Sequence, residues 1–236
     1  MLQNIDTILF DSGGVLNKPT KGDWFISRSF FKHVNKYRYG SIPKRKINKA
    51  FVKANVYINS VKFIKTIDDE RKEFYKFFEI FSIELPELRL TKEQVNSLAD
   101  SLVFDPQKYE FYNDVFEVIP RLKERYNLAV VEDAWPSLIY VFEQAKIKSF
   151  FNKFFLSSMV GYTKPNEIMF STALKEMNAK PENTLFIDDN HLNCLAAQKL
   201  GIKTILICRD KKLWIYEKIR SIGKGYKVIS SLRVFV

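Results

Sequence analysis

The chain has 236 residues, 46% hydrophobic and 28% charged, with a formal net charge of +11. That length can bury a real core and hold one ordinary domain plus a smaller inserted one, and the composition excludes a disordered chain. No apolar run approaches the roughly 18 residues a membrane span needs, and the first residues lack the basic-then-apolar layout of a signal, so a cytoplasmic protein with no membrane partner is expected.

Cysteines and histidines narrow the chemistry further. Cys194 and Cys208 are too few for a disulfide framework and fall in segments that read as buried. The only histidines, His33 and His191, lie far apart, and neither HExxH nor CxxC occurs, which removes zinc as a leading idea. The densest basic patch, Lys44-Arg45-Lys46 with Lys49 and Lys53, would spread over much of a helix circumference. It reads as a solvated face, and no nucleic-acid partner is expected.

In chain order, residues 5–10 predict a short buried strand, which runs into the stretch Ile8-Leu9-Phe10-Asp11-Ser12-Gly13-Gly14-Val15-Leu16. From Asp23 to about Phe104 four helical stretches follow and no strand. The first covers about 23–39 and stops at Gly40; the second starts near Pro43 and carries Ile47, Phe51, Ala54 and Ile58. The third begins with Asp68 as N-cap and carries Phe74, Phe77, Phe78 and Phe81; the fourth opens on the capping box Thr91-Lys92-Glu93-Gln94. Their aromatic stripes read as core rather than as a ligand box.

After Asp105-Pro106, helix and strand alternate to the end. Helices are expected at 113–126, 136–145, 166–178, 190–199 and 211–221, and strands at 128–132, 154–157, 184–187 and 203–207. Gly201 stands as the residue after a helix end, and Pro136 after Trp135 as a helix start. Short apolar strands separated by helices imply an α/β fold with a doubly wound parallel sheet. A lone strand is not stable, so residues 5–10 join that sheet and the helical block is an insertion.

Ligands of open α/β sheets bind beyond the carboxyl ends of the strands. The first strand delivers Asp11, Ser12, Gly13 and Gly14 there; the second delivers Glu132, Asp133, Ala134 and Trp135. The third is followed by Gly161-Tyr162-Thr163-Lys164-Pro165-Asn166, and the fourth ends in Asp188-Asp189-Asn190. Each alone has a plain explanation, since Asp before glycine makes a turn and an Asp pair caps a helix. Together they place several carboxylates around one lysine, a set that suits Mg²⁺ and an anionic substrate. His33, His191 and Cys194 read as structural, whereas Trp135 either starts a helix or lines a pocket.

Residues 8–16, Lys164 within 161–165, and Phe186-Ile187-Asp188-Asp189-Asn190 resemble motifs one, three and four of the haloacid dehalogenase-like (HAD) hydrolase superfamily. The helical insertion resembles its C1-type cap, and the Asp-Asp fourth motif marks one branch. The resemblance covers nearly the whole chain. It implies a Rossmannoid core over 1–16 and 106–236 with an all-helical cap over 17–105. It further implies a nucleophilic Asp11 that forms an aspartyl-phosphate, Mg²⁺ held by Asp11, the Gly13 carbonyl and Asp189, and Asp188 assisting beside the metal. Lys164 would hold Asp11 and the phosphate charge, with Ser12, Gly13, Glu132, Asp133 and Lys164 as the substrate-contacting set.

Two positions depart from the family pattern. Gly13 stands where phosphatases of the family carry a second Asp as general acid and base. Glu132 stands where a Ser or Thr hydroxyl meets the phosphate, and an ionised Glu repels a dianion and donates no hydrogen bond. Either Glu132 turns away, stays protonated, or reports a substrate that is not an ordinary phosphate ester. The expectation is a Mg²⁺-dependent phosphatase of a small phosphorylated metabolite, with activity weakened by Gly13 and Glu132. The alternatives are a HAD-fold binding protein with degenerate catalysis and a HAD hydrolase acting at carbon. Substrate identity and oligomeric state stay open.

Overall fold

The apolar runs at residues 5–10, 128–132, 154–157, 184–187 and 203–207 are strands in the computed structural model, which describes residues 2–236. The strands are β1 (Thr7–Phe10), β2 (Asn17–Pro19), β3 (Tyr109–Phe111), β4 (Asn127–Glu132), β5 (Lys153–Leu156), β6 (Thr184–Asp188), β7 (Lys203–Ile207) and β8 (Lys227–Ile229). Six of them form one sheet in the order β5-β4-β1-β6-β7-β8, every neighbouring pair parallel, and β2 pairs with β3 separately. The three-residue strands β2, β3 and β8 have no counterpart in the sequence expectation, because three residues carry too little periodicity to register.

The chain forms two units: residues up to Lys18 with Glu110–Ala134 and Phe142–Val236, and Pro19–Tyr109 with Trp135–Val141. The helices are α1 (Phe30–His33), α2 (Lys36–Ser41), α3 (Lys44–Ser60), α4 (Ile67–Glu84), α5 (Lys92–Val103), α6 (Asn113–Lys123), α7 (Ser137–Gln144), α8 (Ser157–Val160), α9 (Glu167–Met177), α10 (His191–Lys199) and α11 (Lys211–Arg220). Among the described residues, no helix is long and apolar enough to cross a membrane.

In the α/β unit, Leu9, Val131 and Phe186 from three adjacent strands are buried against Met169, Phe170 and Ala173 of α9 and Ala197 of α10. Such strands are buried on both faces, which explains their unbroken apolar runs. The chain moves from β1 to β4 and β5 on one side, then to β6, β7 and β8 on the other. The ends of β4, β1 and β6 therefore flank the point where strand order reverses, and a crevice opens there. Register completes the placement. Phe10 pairs with both Val130 and Ile187, so Asp11 emerges level with Val131 and Asp188.

The helical unit departs from expectation at its start. Instead of one helix over 23–39, α1 and α2 are separated by extended backbone at Val34 and Asn35. The Asn35 side chain accepts from the backbone of Tyr37 and Arg38, so an N-cap interrupts an otherwise continuous apolar pattern. Gly40 lies inside α2 rather than after it. Likewise α4 is capped by Thr66, whose hydroxyl accepts from Asp69 N, and not by Asp68. The capping box at Thr91 and Gln94 forms as read. Phe30, Phe74, Phe77, Phe78 and Phe81 are all buried, with Phe25 stacked on Phe77 at 5.0 Å. Trp135 joins that aromatic core, 4.9 Å from Phe74 between ring centres.

Candidate active site

Asp11 is 4% exposed and takes its place because its N–H continues the β1 ladder to the Ile187 carbonyl at 2.9 Å. Lys164 reaches it from the loop after α8, through Gly161, whose φ of +87° suits glycine. The Lys164 Nζ donates to Asp11 Oδ1, to the Val131 carbonyl at 3.0 Å and to Asp188 Oδ2 at 3.1 Å. An ammonium has three protons, and all three are engaged. The lysine loop is tethered in turn by Lys164 N donating to Asp133 Oδ1 at 2.9 Å.

Asp188 is fully buried, and both its oxygens are engaged. Its Oδ1 accepts from Asn190 N at 2.7 Å, and its Oδ2 also accepts from Asn193 Nδ2 at 3.0 Å. Asp11 Oδ2, by contrast, is buried with no hydrogen-bond partner. Asp189 is exposed as a residue, but its carboxylate packs against Gly14, where any Cβ would overlap it and where φ is +77°. The second glycine of the turn is thus needed twice, for its conformation and for this close approach.

The charges are unbalanced. Five carboxylates, Asp11, Glu132, Asp133, Asp188 and Asp189, face one ammonium. Burial, then the charge of Glu132, raises Asp11 well above the usual carboxylate range in spite of Lys164. Burial and the charge of Asp188 push Asp189 up to about 7, and burial, against the pull of Lys164, lifts Asp133 to about 6. Burial opposes the charge on Lys164, but Asp11 and Asp188 outweigh it and hold the lysine well above its ordinary value. A site in which carboxyls retain protons is short of positive charge. One carboxylate oxygen from each of Asp11, Asp188 and Asp189 lies within 4.8 Å of the others, a hard-oxygen set suited to Mg²⁺.

Glu132 does not turn away. Its Oε2 accepts from Ser12 N at 2.6 Å and Gly13 N at 2.7 Å, and its Oε1 from Asp133 N at 3.0 Å. The Ser12 hydroxyl instead faces inward and accepts from Asn17 Nδ2 at 2.6 Å, so Ser12 offers the site its backbone only. All eight residues read from the sequence as site members come together at these strand ends. Asn193 was missed. It stands five residues after Asp188 in the first turns of α10, and its only sequence signal is that spacing. The Val131 carbonyl was missed too, because a backbone acceptor leaves no mark on composition.

The profile of the family described as haloacid dehalogenase-like hydrolase matches residues 9–207. The pyrophosphatase PpaX of Bacillus mycoides (strain KBAB4) is 25% identical over 205 residues, 86% of this chain and 83% of its own. Among solved structures, a HAD phosphatase from Thermococcus onnurineus aligns with a TM-score of 0.66 at 16% identity, covering 98% of this chain and 96% of that one. A HAD family enzyme from Bacteroides thetaiotaomicron, in complex with magnesium and inorganic phosphate, aligns with a TM-score of 0.61 at 19% identity, covering 86% and 94%.

Proposed function

The chain belongs to the haloacid dehalogenase-like hydrolase family, and from that premise we propose that it is a Mg²⁺-dependent phosphatase of a small phosphorylated metabolite, working through Asp11. The carrying observation is the asymmetry of that carboxylate: Oδ1 is held by Lys164, while Oδ2 is buried without a partner. A nucleophilic carboxylate needs an oxygen with a lone pair free to attack. The named activity of the PpaX relative and the magnesium and phosphate in the Bacteroides neighbour support chemistry at phosphorus.

In this reading Asp11 Oδ2 attacks phosphorus, the bond to the leaving oxygen breaks, and an aspartyl-phosphate forms on Asp11. Water then attacks the same phosphorus, releasing orthophosphate and the free carboxylate. Lys164 keeps Asp11 oriented and offsets its charge. Asp11, Asp189 and the Gly13 carbonyl would hold Mg²⁺, which supplies positive charge between the carboxylates and the phosphoryl oxygens. Asp188, held by Asn190 and Asn193, positions the lysine. Gly13 offers no acid to the leaving oxygen, and general acid help is worth roughly 10²–10⁴-fold, so turnover is slow unless the leaving group departs without a proton.

Purified protein assayed against sugar, nucleotide and coenzyme phosphates should release orthophosphate with Mg²⁺ and not with EDTA, and Asp11→Asn should abolish release. No turnover on any of these esters, or full activity in Asp11→Asn, overturns the reading. A second reading, a binding protein with degenerate catalysis, is favoured by the Glu132 carboxylate on the backbone of Ser12 and Gly13. A large gain of activity in Gly13→Asp with Glu132→Ser would support it. Hydrolysis at carbon is disfavoured because that chemistry needs no metal and gives Asp189 no role.

A further inference from the structure

Three backbone N–H groups from two strand ends converge on one carboxylate. Ser12 and Gly13, consecutive after β1, both donate to Glu132 Oε2 at 2.6 and 2.7 Å, and Asp133, after β4, donates to Oε1 at 3.0 Å. Successive N–H groups aimed at one point make an anion-binding concavity, and donors at such short distances to a charged oxygen are the stronger kind of hydrogen bond. The cradle lies directly after the nucleophile in sequence, so it is where the oxygens of a group attacked by Asp11 would rest.

Several other donors around Asp11 are already engaged. Lys164 Nζ donates to Asp11, Val131 and Asp188, Asn193 Nδ2 donates to Asp188, Asp11 N to Ile187 and Gly14 N to Asn17. With Glu132 in place, an incoming dianion meets carboxylates and no free donor among these groups.

We propose that Glu132 is a resident anion that occupies the site's oxyanion cradle, so that a phosphoryl group binds only by displacing this carboxylate. The proposal rests on the phosphatase reading above for the identity of the displacing group. Glu132 thereby sets affinity for anions without touching the reacting bond. It also keeps the Ser12 and Gly13 N–H groups satisfied in the ligand-free protein, where unpaired buried donors are costly.

Glu132→Thr removes the competing charge, and Glu132→Gln keeps the shape while removing the charge. Orthophosphate binding to each, measured by calorimetry in Mg²⁺, should tighten by at least about tenfold in the Thr variant, with the Gln variant between it and the parent. Thermal melting gives an independent readout: orthophosphate should raise Tm more in Glu132→Thr than in the parent. Equal or weaker binding in both variants, or no binding in any, overturns the proposal. Tight orthophosphate binding in Glu132→Thr with no ester hydrolysed by any variant would leave the proposal standing and remove the phosphatase reading. Ester hydrolysis with flat binding ratios would do the reverse.

Discussion

Lys164 in the α/β unit and Lys108 in the helical unit are both buried, 8% and 6% exposed, yet their surroundings treat the charge in opposite ways. Lys108 Nζ donates to the Leu102 carbonyl at 2.8 Å and to Ser137 Oγ at 2.6 Å, and Ser137 in turn donates through N and Oγ to the two oxygens of Glu70. Burial outweighs the carboxylates near it and pulls the lysine down to about 8, while burial raises Glu70. Every oxygen of Glu70 has a partner. Around Lys164 the carboxylates outnumber the ammonium, the lysine is held up instead, and Asp11 Oδ2 has no partner. A buried ionic cluster that closes on itself is structural, whereas one left short of cations and with an unpaired oxygen is arranged for something that binds.

The comparison breaks most visibly in activity. Lys164→Met should lower kcat/KM by about 10³-fold, since one preorganised charge facing the nucleophile is worth that much, whereas Lys108→Met should leave turnover per folded molecule unchanged. Steady-state assays on both variants check this. Stability should show the reverse emphasis. Lys108→Met leaves Glu70 buried without its cation and should cost about 3 kcal/mol, read as a loss of roughly 10 °C in Tm.

The smallest effect is in pH. The folded Asp189 carboxyl titrates near 7 against an ordinary 3.8, so the folded chain keeps a proton the unfolded chain has lost. Stability therefore falls as pH rises through that window, and Mg²⁺ should raise Tm more at pH 8 than at pH 5. Lys108, lowered to about 8 from 10.5, has the opposite sign: stability is lost as pH falls from 10.5 to 8 and regained as it rises. Melting curves with Mg²⁺ and with EDTA separate the two, and in Lys108→Met the alkaline rise should vanish.

Much of the site was legible because a parallel sheet converts sequence position into place. Strand ends converge wherever the order reverses, so Asp11, Glu132, Lys164 and Asp188 had to meet once their strands were recognised. The Thr91 capping box was legible for a similar reason, being a pattern four residues long. The break between α1 and α2 was not, because Asn35 competes with the helix through one side chain that leaves the apolar period intact.

The amino-acid sequence by itself determined the α/β architecture with a helical insertion, the strand ends that carry charge, and the oddity of Gly13 and Glu132. Only the tertiary structure decided where the Glu132 carboxylate rests, which Asp11 oxygen is unpaired, that Asn193 steadies Asp188, and that Glu70, Lys108 and Ser137 form a closed network. The reason is physical. Periodicity and caps are local and repeat along the chain, while the choice of donor for each buried acceptor is made between residues far apart in sequence, as with Glu132 and Ser12 at a separation of 120.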